Sequence, residues 1–178
     1  MEQGYPKRKR NRLECYDYTQ PNYYYVTVCA KDKKSLFGEI PHCRGVHCAP
    51  VQTVLSPIGK IVEQAILNIP KHYASMQVDK YIIMPNHIHL ILIFRADANG
   101  RAMHAPTLST VIGQMKGYAT KMCGKQIWQK SFYDRIIRSQ SAYEEVWNYI
   151  DGNPLKWQDD EYYIKNATAK EQKKCTQI

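Results

Sequence analysis

Residues 81–94 read Tyr81-Ile82-Ile83-Met84-Pro85-Asn86-His87-Ile88-His89-Leu90-Ile91-Leu92-Ile93-Phe94. This run is apolar and rich in β-branched residues on both sides of Pro85-Asn86, which predicts two strands joined by a tight turn. Side chains two positions apart on a strand share a face, so His87 and His89 should point to one spot, with Ile88 on the opposite face. A lone histidine in an apolar strand is usually a hydrogen-bonded core residue, but burying two without partners costs about 1–3 kcal/mol each. The pair therefore indicates a metal-binding or catalytic site.

Length and charge define the broad class of protein. A chain of 178 residues is long enough for one domain with a proper core. Its net charge of +9, from 25 Lys and Arg against 16 Asp and Glu, favours a polyanionic partner. The basic run Lys7-Arg8-Lys9-Arg10 is not followed by an apolar segment, so it predicts a basic arm or a solvated tail rather than a secretory signal. No apolar run approaches the ~20 residues of a membrane-spanning helix, and we expect a soluble, cytoplasmic protein with no membrane partner.

The six cysteines have no regular spacing and are expected to be free thiols in a reducing compartment. One cluster, His42-Cys43-Arg44-Gly45-Val46-His47-Cys48, places four possible zinc ligands within a short segment. Its spacing matches none of the usual zinc signatures, and such short loops rarely surround one ion tetrahedrally. We therefore interpret it as a surface loop.

The first half of the chain predicts a strand followed by a helix. The segment from Asn22 to Ala30 is β-rich, and residues 35–54 have no clear period, which predicts a loop that could hold a short hairpin. Ser56-Pro57 has the form of a helix start, with serine as N-cap and proline at the first helical position. The apolar positions that follow share one helical face: Ile58, Ile61, Val62, Ala65, Ile66 and Ile69.

The second half of the chain again predicts strands followed by a helix. Strands are predicted at residues 76–84 and 87–94, and a helix follows, with Gly124 as its C-terminal cap. The apolar stripe of that helix consists of Leu108, Val111, Ile112, Met115, Ala119 and Met122. Residues 127–137 predict a last strand with an irregular lead-in. The order gives an α+β, ferredoxin-like βαββαβ sandwich with helices on one face of an antiparallel sheet, and the histidine face is expected to be open for a substrate.

A third helix is predicted after this core. Ser141 and Glu144 have the spacing of a capping box, and an apolar stripe follows: Tyr143, Val146, Trp147 and Ile150. Tyr149 lies about 110° from the centre of that stripe, so its phenol should project beside the buried seam. Asn153 is one turn further on the same side, and Pro154 disfavours helical geometry at Asn153, so the helix should fray or end there.

These residue types together suit phosphodiester chemistry. A phenol can attack a phosphodiester, and two imidazoles with an amide oxygen form a neutral ligand set that leaves a divalent cation its full charge. Because the covalent product is again a phosphodiester, such a step is reversible. Tyr133 is the competing nucleophile, but only Tyr149 has a potential metal ligand, Asn153, one helical turn away.

Several motifs resemble those of the HUH single-strand endonucleases, and more narrowly the REP-associated tyrosine transposases, over roughly residues 20 to 157. The resemblance is carried by Met84-Pro85-Asn86-His87-Ile88-His89, by residues 128–138, by Tyr149-Ile150-x-x-Asn153-Pro154-Leu155-Lys156, by Leu36-Phe37-Gly38-Glu39-Ile40 and by Gly59-Lys60-Ile61-Val62. It implies the same sandwich fold and single-stranded hairpin DNA from palindromic repeats as the substrate. The segment 42–48 and the tail after Trp157 depart from the family pattern.

The resemblance also implies roles for individual residues. His87, His89 and Asn153 would hold a metal ion, with Mg²⁺ or Mn²⁺ fitting such a site, and Tyr149 would form a 5′-phosphotyrosine link. The predicted domain organisation is a basic N-terminal arm at residues 1–20, a catalytic domain at 21–157 and a C-terminal tail at 158–178.

Contacts to DNA are predicted from basic and aromatic side chains. The basic candidates are Arg135, Arg138, Lys156, Lys116 and Lys121. Trp128 and Phe132 could stack on bases or belong to the core. A transposase-derived module that binds structured DNA or RNA without cutting it, and a zinc-stabilised adaptor, remain alternative functions, and the sequence allows a monomer or a homodimer.

Overall fold

The computed structural model describes residues 20–41, 52–95 and 106–163. The basic run at 7–10, the segment 42–48 and the tail beyond residue 163 lie outside these ranges. The strands are β1 (Tyr23–Cys29), β2 (Gly38–Glu39), β3 (Val54–Leu55), β4 (Met76–Ile83), β5 (His87–Phe94) and β6 (Tyr133–Ile137). The helices are α1 (Pro57–Leu67), α2 (Ile69–His72), α3 (Leu108–Cys123) and α4 (Gln140–Gly152), with 3₁₀ turns at Lys31–Lys33 and Asn153–Asp159.

Four strands form one antiparallel sheet in the order β4-β5-β1-β6. The predicted α+β fold, with helices packed on a four-stranded antiparallel sheet, is therefore confirmed, and this strand order is compatible with a ferredoxin-like sandwich. The two central strands, β5 and β1, are paired so that Cys29 faces His87 and Thr27 faces His89. The short strands β2 and β3 pair between the first strand and the first helix, in the region where the sequence predicted a loop that could hold a short hairpin.

Helices α1 and α3 cover one face of the sheet and enclose the main core. Strand alternation sends Val26, Val28, Ile88, Leu90 and Leu92 to this face, and all are fully buried. The predicted helix ends are confirmed: the Ser56 hydroxyl accepts from the Gly59 N–H at 3.0 Å, and Gly124 ends α3 with a φ of 64°. None of the helices within the described ranges is long and apolar enough to cross a membrane.

The histidine face of the sheet is covered by α4, so the prediction of an open face was wrong. A second, smaller core lies there and consists of Ile91, Ile137, Val146 and Ile150. The physical reason is that the apolar stripe of α4 needs an apolar partner, and this face of the sheet offers one beside the histidines. Trp147, predicted in the stripe, is instead 38% exposed at its edge.

The N-terminal end of α4 differs from the prediction, whereas its C-terminal end, at Gly152 with Asn153 as C-cap, agrees with it. Ser139 is the N-cap, with its hydroxyl accepting from the Ala142 N–H at 3.2 Å, so the helix begins before the Ser141 capping box that the sequence suggested. At the other end Asn153 keeps right-handed helical angles, φ −59° and ψ −42°, despite Pro154. The chain therefore continues from α4 into a 3₁₀ turn without changing direction sharply, and this turn brings the following residues over the histidines.

Candidate active site

The two imidazoles meet on the α4 side of the sheet. The Nε2 atoms of His87 and His89 are 2.9 Å apart, and both side chains are at most 1% exposed. This is the convergence that two histidines at alternate positions of one strand predict. A pair of ring nitrogens this close needs a proton or a cation between them, because two lone pairs facing each other repel.

Asn86 fixes the proton of His87. Its amide nitrogen donates to the Lys33 carbonyl at 3.0 Å and to the Tyr162 carbonyl at 2.8 Å, so its Oδ1 faces the Nδ1 of His87 at 2.9 Å. Because an amide oxygen can only accept, His87 Nδ1 carries the hydrogen and Nε2 is left with its lone pair. This is the tautomer that a metal-binding imidazole needs.

His89 has two hydroxyl partners on β1. Its Nδ1 lies 2.7 Å from the Tyr25 hydroxyl and 2.9 Å from the Thr27 hydroxyl. Either hydroxyl can accept from Nδ1–H, which would leave the Nε2 of His89 free to bind a cation. Strand pairing positions both hydroxyl groups beside His89, because Thr27 is directly opposite His89 and Tyr25 is two positions further along the same face of β1.

Burial keeps both imidazoles neutral. It lowers the pKa of His87 to about 3, with the nearby Lys33 ammonium adding to the effect. Burial also lowers the pKa of His89 well below its usual value, and the neighbouring His87 lowers it further. Neutral imidazole is the form that binds metals, so the environment favours ligation at physiological pH.

A carboxylate joins the pair from the segment after the 3₁₀ turn. Asp160 places an oxygen so that the ligand atoms of Asp160, His87 and His89 all lie within 4.8 Å of one another. Tyr162, on the same segment, packs its ring 4.6 Å from that of His87. Sequence reasoning gave this segment no role; the available signal was the acidic and aromatic run Asp159-Asp160-Glu161-Tyr162-Tyr163 in a basic chain.

Tyr149 projects from α4 toward the cluster formed by His87, His89 and Asp160. Its ring centroid is 5.3 Å from that of His89, and 44% of the residue is exposed. Burial raises its pKa, as does the Asp160 carboxylate, whereas a hydrogen bond with the Asn153 side chain lowers it. The phenol is therefore protonated at neutral pH, and it contacts His89 while it hydrogen-bonds to the Asn153 side chain.

Asn153 has the property expected of a metal ligand. It is 3% exposed, and its Oδ1 is a buried acceptor for which the described residues supply no hydrogen-bond donor. Such an orphaned oxygen costs about 1–3 kcal/mol unless something else binds it. Two neutral imidazoles, a carboxylate and an amide oxygen form a donor set that suits a divalent cation such as Mg²⁺ or Mn²⁺.

Comparison with known proteins agrees with this architecture. No protein-family model matches the chain. A Haemophilus influenzae protein named "Uncharacterized protein" is 29% identical over 180 residues, covering 90% of this chain and 96% of that protein. A solved REP-associated tyrosine transposase bound to a REP hairpin superposes with a TM-score of 0.57 at 20% identity, over 82% of this chain and 74% of that one. The chain has the fold of a REP-associated tyrosine transposase.

A second solved structure, a putative transposase from Deinococcus radiodurans, is 12% identical, with a TM-score of 0.46 and coverage of 79% of this chain and 95% of that one.

Within this transposase fold, three of the predicted DNA contacts lie around α4. Arg135 is opposite Tyr25 in the β1–β6 pairing and so shares the face of the histidines. It is exposed and 3.8 Å from Glu145 of α4. Arg138, just after β6, and Lys156, in the 3₁₀ turn, are also exposed.

The other predicted DNA contacts lie elsewhere. The Lys116 ammonium donates to the carbonyls of Gln129 at 2.5 Å and Ser131 at 3.3 Å, so it holds the lead-in to β6. Lys121 is exposed on α3, on the opposite side of the sheet from the histidines. Trp128 is 5% exposed in the main core, 5.0 Å from the ring of Phe37. Of the two alternatives for Trp128, the structure supports the core position, because a side chain this buried offers no ring face for a base to stack on.

The competing tyrosine is further from the imidazoles. Tyr133 pairs with Thr27, which in turn pairs with His89, so two strand spacings, about 9–10 Å, separate Tyr133 from His89. Phe132 is partly buried against the main core. Of the two candidate nucleophiles, Tyr149 is the one in ring contact with a histidine.

Proposed function

We propose that this protein is a metal-dependent single-stranded DNA endonuclease and strand transferase that acts on hairpin DNA through a 5′-phosphotyrosine intermediate. The observation that carries the proposal is the contact of Tyr149 with His89, whose Nε2 faces that of His87. A nucleophile beside a pair of neutral imidazoles is the minimal arrangement for metal-assisted phosphoryl transfer. The transposase of the same fold was solved bound to a REP hairpin, which supports DNA of that kind as substrate.

In the proposed reaction the Tyr149 oxygen attacks the scissile phosphorus in line with the leaving 3′-oxygen. The new bond joins phosphorus to the phenol oxygen, and the bond from phosphorus to the 3′-oxygen breaks. The phenol proton passes to solvent water, and the 3′-oxygen takes a proton from solvent water. His87, His89 and Asn153 would hold a Mg²⁺ or Mn²⁺ ion, whose charge would neutralise the phosphate and stabilise the leaving oxygen. Attack by a 3′-hydroxyl on the phosphotyrosine reverses the step and joins strands.

Exposed basic side chains around α4 would hold the DNA backbone. Arg135, Arg138 and Lys156 are all solvent-accessible, and each phosphate contact contributes a salt-sensitive share of the binding. Lys116 is committed to backbone carbonyls, and a phosphate contact by Lys121 stays a prediction for a more distant part of the strand. Since both imidazoles are fully buried, the phosphate reaches them only when part of their cover moves.

The test compares Tyr149→Phe with Tyr133→Phe. Each full-length variant is incubated with a labelled single-stranded palindrome and Mn²⁺, and covalent protein–DNA adduct is measured on a denaturing gel. We expect no detectable adduct from Tyr149→Phe, a loss of at least about 10³-fold, and a normal yield from Tyr133→Phe. Equal thermal melting of both variants and the wild type serves as the folding control.

Normal adduct formation by Tyr149→Phe would overturn the assignment of the nucleophile. A chelator separates the proposed enzyme from a non-cleaving module, because the enzyme should lose adduct formation while it retains DNA binding. A wild-type protein that binds the palindrome tightly but never forms an adduct with Mn²⁺ or Mg²⁺ would favour the non-cleaving module.

A further inference from the structure

We infer that Asp160 is a metal ligand that acts together with His87 and His89. The inference rests on the metal site proposed above and adds to it a negatively charged donor from outside the motifs. It also assigns a role to the segment after Trp157, which lies beyond the catalytic domain predicted from the sequence.

The distances fit a shared ion. Metal–ligand bonds of about 2.1 Å place adjacent ligands at right angles about 3 Å apart, and opposite ligands about 4.2 Å apart. The 2.9 Å between the two Nε2 atoms matches an adjacent pair, and all three ligand atoms lie within 4.8 Å of one another. The limit of 4.8 Å exceeds the separation of opposite ligands by about 0.6 Å, so a modest shift of the Asp160 carboxylate would bring its oxygen into the same coordination shell.

Hydrogen bonds already hold Asp160 in place. Its Oδ1 accepts from the Tyr162 N–H at 2.7 Å in a local turn, and the Tyr149 hydroxyl also hydrogen-bonds to its carboxylate. The carbonyl of Tyr162 accepts in turn from the amide of Asn86, whose Oδ1 orients His87. One chain of hydrogen bonds thus positions both the carboxylate and an imidazole, which is the kind of support that metal ligands receive from their surroundings.

Charge and burial distinguish Asp160 from its neighbours. Asp159 and Glu161 are exposed, whereas Asp160 is half-buried beside the imidazoles and the Tyr149 hydroxyl. His87, His89 and Asn153 would form a neutral ligand set. With Asp160 added, its carboxylate would be the one anionic ligand of the four. We expect this charge to raise the affinity for a divalent cation in a chain whose net charge is +9.

The test measures Mn²⁺ binding directly and needs no DNA. Full-length wild type, Asp160→Asn and the matched controls Asp159→Asn and Glu161→Gln are titrated with Mn²⁺, and free Mn²⁺ is followed by electron paramagnetic resonance. We expect at least tenfold weaker binding by Asp160→Asn and changes below twofold in both controls. The rise in melting temperature caused by Mn²⁺ should shrink for Asp160→Asn alone, with equal melting of all variants in chelator as the folding control.

A second variant keeps the inference testable if the amide disturbs the turn. Asp160→Glu retains the carboxylate and should recover part of the Mn²⁺ affinity lost in Asp160→Asn. Wild-type affinity in Asp160→Asn would overturn the role of Asp160 and leave the histidine site intact. Binding by wild type no tighter than by His89→Ala would instead refute the proposed metal site itself, and with it this inference.

Discussion

The two faces of the sheet are built from the same strands but have opposite compositions. Beneath α1 and α3 the side chains are apolar and fully buried, as at Ile88, Leu90 and Leu92. Beneath α4 the neighbouring positions of the same strand are His87 and His89, which are equally buried but hydrogen-bonded. Alternation along β5 thus separates the apolar residues that stabilise the fold from the two histidines of the candidate metal site.

The attachment of α4 also differs from that of α1 and α3. Besides the small apolar core, polar contacts hold it: the Tyr143 hydroxyl donates to Asp79 at 2.6 Å, and Lys80 pairs with Asp151 at 2.6 Å. Polar contacts at a partly exposed seam contribute less free energy than a large apolar core. The comparison therefore implies that the α4 side can be altered at a smaller cost in overall stability than the α1 and α3 side.

The largest effect on stability is expected from Leu90→Ala, in the main core. Deleting a fully buried leucine side chain leaves a cavity and costs about 2–5 kcal/mol in the free energy of unfolding. Ile93→Ala, on the other face of β5 and only partly buried, should cost about 1 kcal/mol. Urea denaturation measures both, and Mn²⁺ affinity of the folded Leu90→Ala protein should stay at the wild-type value. Equal losses of stability from the two variants would contradict the asymmetry between the faces.

Asn86→Ala should affect the histidine face in a different way, through metal affinity. The variant frees His87 Nδ1 from the acceptor that fixes its tautomer, and loss of such a supporting hydrogen bond lowers metal affinity by about 10–100-fold. Calorimetric titration with Mn²⁺ gives the measurement, and Asn68→Ala, at the end of α1, is the control that should bind normally. Wild-type Mn²⁺ affinity in Asn86→Ala would contradict this control of the tautomer.

The smallest effect is expected from Lys80→Met at the α4 seam. Its ammonium lies 3.0 Å from the centroid of the Trp147 ring and also pairs with Asp151. Losing both contacts should lower the free energy of unfolding by about 0.5–1 kcal/mol, with a smaller difference at high salt. Lys60→Met, on α1, is the matched control, for which we expect no change. A loss above about 2 kcal/mol for Lys80→Met would show that polar contacts dominate the attachment of α4.

The sequence predicted the sheet, the helices α1 and α3, the sandwich topology and the convergence of His87 with His89. These features depend on periods of two and 3.6 residues and on caps such as Ser56 and Gly124, which backbone geometry sets locally. It also predicted that Tyr149 projects beside the buried stripe of α4. The periodicity of α4 could not say which surface that stripe would meet, so the covered histidine face was missed.

Burial of individual aromatic and acidic residues was harder to predict. Trp128 occurs in an irregular lead-in, where no period indicates which side faces the core, and it packs against Phe37, which is distant in sequence. Asp160 lies beyond the last helix, where nothing local distinguishes it from Asp159. Only the position of the 3₁₀ turn over the sheet decides that Asp160 and not its neighbour approaches the imidazoles.

The sequence by itself determined that two imidazoles share one face of a strand, because alternation is a property of every extended backbone. The tertiary structure alone decided that α4 closes that face and that Tyr149 and Asp160 approach the histidines there. Such meetings depend on how separate elements pack against each other and on where the connecting turns lead the chain. Those outcomes are set by the balance of burial over the whole molecule and not by any local pattern.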